Sequence, residues 1–294
     1  MFYRRKIVLA LLQLFDGELE KIRLQKLLFL FTLKQPKAEY DFIPYRFGCF
    51  SYSANADLNT MAMKGILIKT ETHYKRTEKA DYLKALKDLD RNLLLEIKTY
   101  YGKMSSNALM KHTYINQPYF AIRSEVAEKI LKPEELKEVN KARPKGSKTI
   151  LFTIGYEGIS LEEYLNRLLK NDVRVLVDVR NNPLSMKYGF SKSQLKKFCE
   201  GLGIQYLHFP EVGILSEQRQ ELNTQTDYDK LFSIYRKNNL VKTKPTQTTI
   251  LNLLRQHERI ALTCFEANIC QCHRKHLAEA IEKLPDFNYE VRHI

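Results

Sequence analysis

Leu262-Thr-Cys264-Phe-Glu266-Ala-Asn-Ile-Cys270-Gln-Cys272-His273-Arg274 is the stretch whose reading decides the fold of the second half of this chain. An apolar run, Ile260 to Phe265, reads as a strand and stops at thiols, a carboxylate, an imidazole and a guanidinium. Lys275 to Leu284 then repeats apolar residues at helical spacing. A strand that ends in reactive side chains and runs into a helix is how α/β proteins build sites.

The same pattern recurs outward from that stretch. Thr149 to Ile154 predicts a short strand, followed by Gly155-Tyr156-Glu157-Gly158 and an amphipathic helix over Leu161 to Leu169. Val173 to Arg180 is near-continuously apolar, as buried parallel strands are, and Asn181-Asn-Pro183 ends it. A helix is predicted over Ser191 to Leu202, with Ser191 placed to cap it. Ile204 to Glu211 predicts a third strand, Tyr228 to Asn238 and Thr248 to Gln256 further helices, and Tyr289 to Ile294 a fifth strand. Strands alternating with helices imply βαβ units and a mainly parallel sheet, an α/β fold. Parallel strands present their carboxyl ends on one edge, where ligands bind. Tyr156, Glu157, Asp178, Arg180, His208, Glu211, Cys264 and Glu266 are therefore expected on one rim.

The first half reads differently. Arg4 to Phe15, Ile22 to Leu33 and Ser53 to Lys64 have helical apolar spacing. Tyr40 to Ser51 is rich in Tyr and Phe and holds Pro44 and Gly48, so it predicts a turn, with Phe42, Tyr45, Phe47 and Phe50 packed beneath it. Gly65 to Thr77 predicts two short strands around a turn, and long helices are expected over Asp81 to Tyr101 and Ser124 to Val139. Three helices followed by a hairpin predict a mainly helical, winged-helix-like domain. The stretch Lys141 to Lys148, with Pro144, Gly146 and clustered positive charge, separates a domain over 1–143 from one over 149–294.

Composition sets limits on what such a chain does. Apolar residues make up 44% and charged residues 28% of 294 positions, a globular balance. The longest apolar stretches, such as Ile7 to Leu12 and Leu27 to Leu33, fall short of the roughly 20 residues that span a bilayer. With no secretory pattern at Met1-Phe-Tyr-Arg-Arg-Lys, a cytoplasmic location is expected, and five cysteines, an odd number, predict free thiols over a disulfide framework. The net charge of +14 is uneven: 28 Lys+Arg against 17 Asp+Glu in residues 1–148 give +11, and 20 against 17 in the remainder give +3. A basic first half predicts a polyanionic partner, with DNA expected before RNA and no membrane.

Two resemblances add to this reading. Arg23-Leu-Gln-Lys-Leu-Leu-Phe29, the turn Phe42-Ile-Pro-Tyr-Arg-Phe-Gly-Cys-Phe-Ser51, Asp57-Leu-Asn59 and Gly65-Ile-Leu67 resemble the SocA/Panacea-like antitoxin-associated domain. That resemblance implies an interaction with protein or nucleic acid. Thr153-Ile-Gly-Tyr-Glu-Gly158, Leu176-Val-Asp-Val-Arg-Asn-Asn-Pro-Leu-Ser185, Gly203-Ile-Gln-Tyr-Leu-His-Phe-Pro-Glu-Val-Gly213, Leu262-Thr-Cys-Phe-Glu266 and Cys272-His-Arg274 resemble the bacterial domain-of-unknown-function family 488 across residues 149–294. Val212-Gly213-Ile214 stands where that family has Leu-Gly-Gly. By context this second resemblance implies a nucleic-acid-associated enzyme of repair or phage defence.

Three chemistries fit the rim. Asp178 and Glu266 form a carboxylate pair for hydrolysis of a glycosidic or phosphodiester bond, with Arg180 and Arg274 holding phosphate, and with Tyr156, His208 and His273 in support. Alternatively Cys264 or Cys272 is a thiolate nucleophile activated by His273, Arg274 and a helix N-terminus. The cysteine-phosphatase spacing is absent: Cys270 lies too near Arg274 and Cys264 too far. Otherwise no cofactor is expected, except that Cys264, Cys270, Cys272 and His273 form a compact metal-ligand set. Gly155 and Gly158 are too closely spaced for a dinucleotide fingerprint or a P-loop. The competing class is a non-enzymatic DNA-binding regulator or antitoxin-like partner. Both carboxylates closed in ion pairs with Arg180 and Arg274 would favour that scaffold; an open cleft between them would favour an enzyme.

Overall fold

The computed structural model describes residues 1–219 and 222–294. The chain divides at Arg143/Pro144 into two units, Met1–Arg143 and Pro144–Ile294.

The first unit is built on helix α1 (Tyr3–Leu14), which buries the unbroken run Ile7 to Leu12, and helix α2 (Lys21–Thr32), which buries Leu24 to Thr32. Strand β1 (Glu18–Glu20) joins them, and β2 (Ile43–Tyr45) and β3 (Gly48–Phe50) form a hairpin. Helix α3 (Tyr52–Met63) follows at once, because Ser51 caps it by accepting from the Ala54 amide. Strands β4 (Leu67–Lys69) and β5 (His73–Arg76) complete an antiparallel sheet in the order β1-β5-β4. The unit closes with α4 (Asp88–Tyr101), α5 (Ser106–Asn116), α6 (Ala127–Ile130) and α7 (Pro133–Ala142).

Four details depart from the sequence reading. The helix expected from Asp81 begins at Asp88. Helix α5, capped by Ser105, forms where no element was predicted. The single helix expected over Ser124 to Val139 is two, because the residue before Pro133 is driven out of the helical region: Lys132 has φ −75° and ψ 161°, and Pro133 opens α7 at its first position. Phe42 is buried against Phe29, but Phe47 projects from the hairpin tip, 42% exposed. The sharp β2–β3 return puts it there. Gly48 has φ +88°, and a Cβ on it would meet Tyr114 Cε1 at 2.4 Å.

The second unit is a five-stranded sheet of β6 (Ile150–Gly155), β7 (Val175–Asp178), β8 (Gln205–His208), β9 (Arg259–Cys264) and β10 (Glu290–His293). Its order is β10-β6-β9-β7-β8, and every neighbouring pair is parallel. Each residue of β6, β7 and β9 is buried, as expected for strands covered on both faces. The connecting helices are α8 (Leu161–Lys170), α9 (Lys192–Gly201), α10 (Gln225–Ile234), α11 (Leu240–Lys242), α12 (Lys244–His257) and α13 (His273–Glu282). A π turn, Tyr235–Asn239, links α10 to α11. Val175, Val177, Ile260 and Leu262 share one core with Ile250 and Leu254 of α12 and Leu277 and Ile281 of α13. Among the described residues no helix is long and apolar enough to cross a membrane.

Ser191 precedes α9 but does not cap it. Its hydroxyl instead donates to the Ser185 carbonyl at 2.9 Å and accepts from the Ser185 amide at 3.1 Å, which folds the loop between β7 and α9 back on itself.

Replacing Gly48 by Ala forces a left-handed backbone on a residue with a Cβ, at about 1–3 kcal/mol, before any contact with Tyr114. Gly65 has φ +71° with nothing within 4 Å of a Cβ, so Gly65→Ala meets only the backbone term. Urea unfolding of the two variants is expected to rank Gly48→Ala as the less stable.

Candidate functional site

Register brings the strand ends together. Gly155 pairs with Cys264, Thr263 with Asp178, and Asp178 with His208. The last residues of four neighbouring strands thus lie along one edge, and Tyr156 follows directly on β6.

Asp178, fully buried, faces the guanidinium two residues ahead of it. Arg180 Nε donates to Oδ1 at 2.8 Å, Arg180 Nη2 to Oδ2 at 2.5 Å, and the Arg180 amide to Oδ1 at 3.1 Å. Tyr206 completes the set, donating its hydroxyl to Oδ2 at 2.6 Å. The remaining arm of Arg180, Nη1, donates to the Tyr156 hydroxyl and the Phe190 carbonyl, both at 2.8 Å. The Tyr156 ring stacks on Phe190 with centroids 4.2 Å apart. Burial alone works against the Arg180 charge, but its bonds to Asp178 prevail and hold the guanidinium above its ordinary pKa. Burial and the Asp178 charge together push the Tyr206 hydroxyl up.

His208 holds the same arginine from behind. Its Nε2 lies 2.8 Å from the Arg180 carbonyl and its Nδ1 2.9 Å from Lys192 Nζ. A charged lysine has only protons to offer and a carbonyl only lone pairs, so Nδ1 accepts and Nε2 carries the hydrogen.

The second group sits where β9 ends. Cys264 Sγ lies 3.1 Å from Glu266 Oε2 and 3.6 Å from His273 Nδ1. His273 Nε2 is 3.0 Å from the Val179 carbonyl, so that nitrogen donates and Nδ1 turns its lone pair toward the sulfur. Ligand atoms of Cys264, Cys272 and His273, all buried, lie within 4.8 Å of one another. Burial pushes the Cys272 thiol well up, and the adjacent Cys264 adds to the effect. Of the expected ligand set, Cys270 is exposed, apart from these three. The loop after Cys264 is pinned by Arg274, whose Nη1 donates to the Glu266 carbonyl and Nη2 to that of Ala267 at 3.3 Å. It passes so close to β6 that a Cβ on Gly155 would meet the Glu266 carbonyl oxygen at 1.9 Å.

Tyr156 and Arg180 of the first group and Cys264 of the second line a cavity of about 300 Å³, together with Asn181, Asn182 and Phe265 among others. Leu184 and Met186, 76% and 105% exposed, form its outer lip. The other rim residues are placed outside this arrangement. Glu157 is exposed, its Oε2 accepting from the Ala267 amide at 2.9 Å. Glu211 is exposed and accepts the Thr246 hydroxyl at 2.9 Å. The scaffold criterion divides: Asp178 is closed on Arg180, whereas Arg274 reaches the backbone of Glu266 and the Glu266 carboxylate reaches Cys264. Sequence reading missed Tyr206, although strand alternation puts it on the face of His208, two residues on; it missed Phe190 and the Val179 carbonyl, which carry no sequence signal.

Residues 160–281 match a family model described as "Domain of unknown function DUF488". The match includes Asp178, Arg180, His208, Cys264, Glu266, Cys272, His273 and Arg274, and begins after Tyr156. Over that stretch the chain is similar to the family. No curated protein matches the chain.

Asp178→Asn leaves Arg180 buried with its charge uncompensated, so a loss of about 3–5 kcal/mol is expected. Tyr206→Phe removes a single bond and is expected to lose about 1 kcal/mol. Denaturant titrations of the two variants measure the difference.

Proposed function

We propose that the C-terminal unit is a hydrolase of nucleic acid, DNA before RNA, working from the cavity floor, and that the basic N-terminal unit recruits its substrate. The observation that carries this reading is the placement of Cys264 beside Arg180 in a cavity at the carboxyl edge of a parallel sheet, with Glu266 and His273 against the Cys264 sulfur. Glu266 is the group assigned to move the proton during attack on a glycosidic or phosphodiester bond. Arg180, Asn181 and Asn182 supply cationic and amide walls for an anionic, hydrogen-bonding substrate. Asp178, Tyr206 and His208 position Arg180, and Arg274 positions the Glu266 loop.

Further support comes from the cavity's size, at the lower end for small-ligand pockets and suited to one extruded nucleotide, and from its exposed Leu184, Met186 and Phe265, which suit contact with bases. For the N-terminal unit, support comes from its charge, from the resemblance to SocA/Panacea-like domains, and from its order of helix, strand, helix, a first hairpin, helix and a second hairpin with sheet β1-β5-β4, which suits a winged helix. The closed Asp178–Arg180 pair is the one observation that favours a non-enzymatic regulator.

The test is incubation of the protein with labelled single- and double-stranded DNA and RNA, including modified-base DNA, beside Glu266→Gln. Cleavage or base release is expected, falling roughly 10²–10⁴-fold in the variant with binding kept. Salt-sensitive binding without product from any substrate would establish the regulator in its place.

A further inference from the structure

We infer that Cys264, Cys272 and His273 form a binding site for a thiophilic divalent cation of the zinc class, with Glu266 within reach of the same ion. Its place in catalysis rests on the reading proposed above, but its existence does not.

Three observations converge on it. The first is donor chemistry: two sulfurs and an imidazole nitrogen, all buried, lie within 4.8 Å of one another. Tetrahedral zinc, with sulfur at about 2.3 Å and nitrogen at about 2.0–2.1 Å, sets its sulfur and nitrogen ligands roughly 3.5 Å apart. Cys264 Sγ and His273 Nδ1 are 3.6 Å apart.

The second is the orientation of His273. Its Nε2–H is tied to the Val179 carbonyl at 3.0 Å, so the nitrogen left to bind is the one turned toward Cys264. A metal-bound histidine is held in this way, its outer N–H given to a backbone carbonyl or carboxylate.

The third is charge. Binding releases one proton from each thiol, and two thiolates with a neutral imidazole around a doubly charged cation sum to zero. A neutral assembly suits a site in which all three ligands are buried. Glu266 Oε2, 3.1 Å from Cys264 Sγ, is positioned beside these ligands to accept a proton from water bound to the ion. Cys264 also lines the cavity, so an ion on its sulfur lies next to the substrate space.

The experiment measures metal directly and needs no turnover. Full-length protein, expressed with added zinc and purified under a thiol reductant, is analysed for metal by mass spectrometry. It is then stripped with a chelator and reconstituted with cobalt(II). The expected result is one zinc per chain, and thiolate-to-cobalt charge-transfer absorption with the intense visible bands of tetrahedral cobalt. Cys270→Ser is expected to retain both signals, and Cys272→Ser and His273→Gln to lose them. Wild-type protein with neither zinc nor cobalt absorption overturns the site, as does a Cys264–Cys272 disulfide found in place of metal, or full metal retention in both ligand variants. Metal bound without cleavage of any nucleic acid sinks the proposed reaction and leaves the site standing; cleavage by metal-free protein removes the ion from the reaction and leaves both the reaction and the site standing.

Discussion

The buried ion pair of Asp178 and Arg180 is the constraint on which the strand-end site depends. A carboxylate with no solvent exposure is tolerated only when its lone pairs are occupied, and here two guanidinium nitrogens, an amide and the Tyr206 hydroxyl occupy them. The fork geometry of arginine fixes the plane of the group as well as its charge. Once that plane is set, Nη1 aims at the Tyr156 hydroxyl and the Phe190 carbonyl, which seats Tyr156 on Phe190 and draws the loop after β7 over the sheet edge. His208 and Lys192 brace the Arg180 backbone from β8 and α9. One residue, through its side chain and its backbone carbonyl, thus ties together the ends of β6, β7 and β8.

The second half of the site is held by a different device, close approach of backbone. The turn after β9 lies against Gly155, and Arg274, one residue into α13, grips the carbonyls of Glu266 and Ala267. That grip sets where α13 begins. Cys272 and His273 lie at its start, and the turn carries them back toward Cys264. The Val179 carbonyl, just past β7, orients His273 and so links the thiol cluster to the strand that bears the ion pair. The two groups of side chains are mechanically one assembly at the edge of the sheet.

Much of this was legible in the residues. The parallel sheet could be read because strands covered on both faces are near-continuously apolar, and Val175 to Val177 and Ile260 to Leu262 have that character. The rim could be read because parallel strands share a direction. The pairing of Asp178 could not: the sequence offered Glu266 as its counterpart across a cleft, whereas the two-residue spacing to Arg180 lets a guanidinium fold back and occupy the carboxylate first. Similar limits apply to local structure. Pro133 divides a helix that apolar spacing alone would run through, and the Ser191 hydroxyl finds Ser185 where capping rules assign it to its own helix.

By itself, then, the sequence determined the alternation of strand and helix, the direction of the strands, and the gathering of Cys264, Glu266, Cys272, His273 and Arg274 in one short window, since these follow from periodicity and chain order. Only the tertiary structure decided which of these groups meet. Cys264 and His273 are joined by a turn whose path is imposed by contact with Gly155 and by the Arg274 grip, and His273 takes its orientation from a carbonyl of a different strand. Such contacts are set by packing between segments far apart in the chain, and no local pattern of residues encodes them.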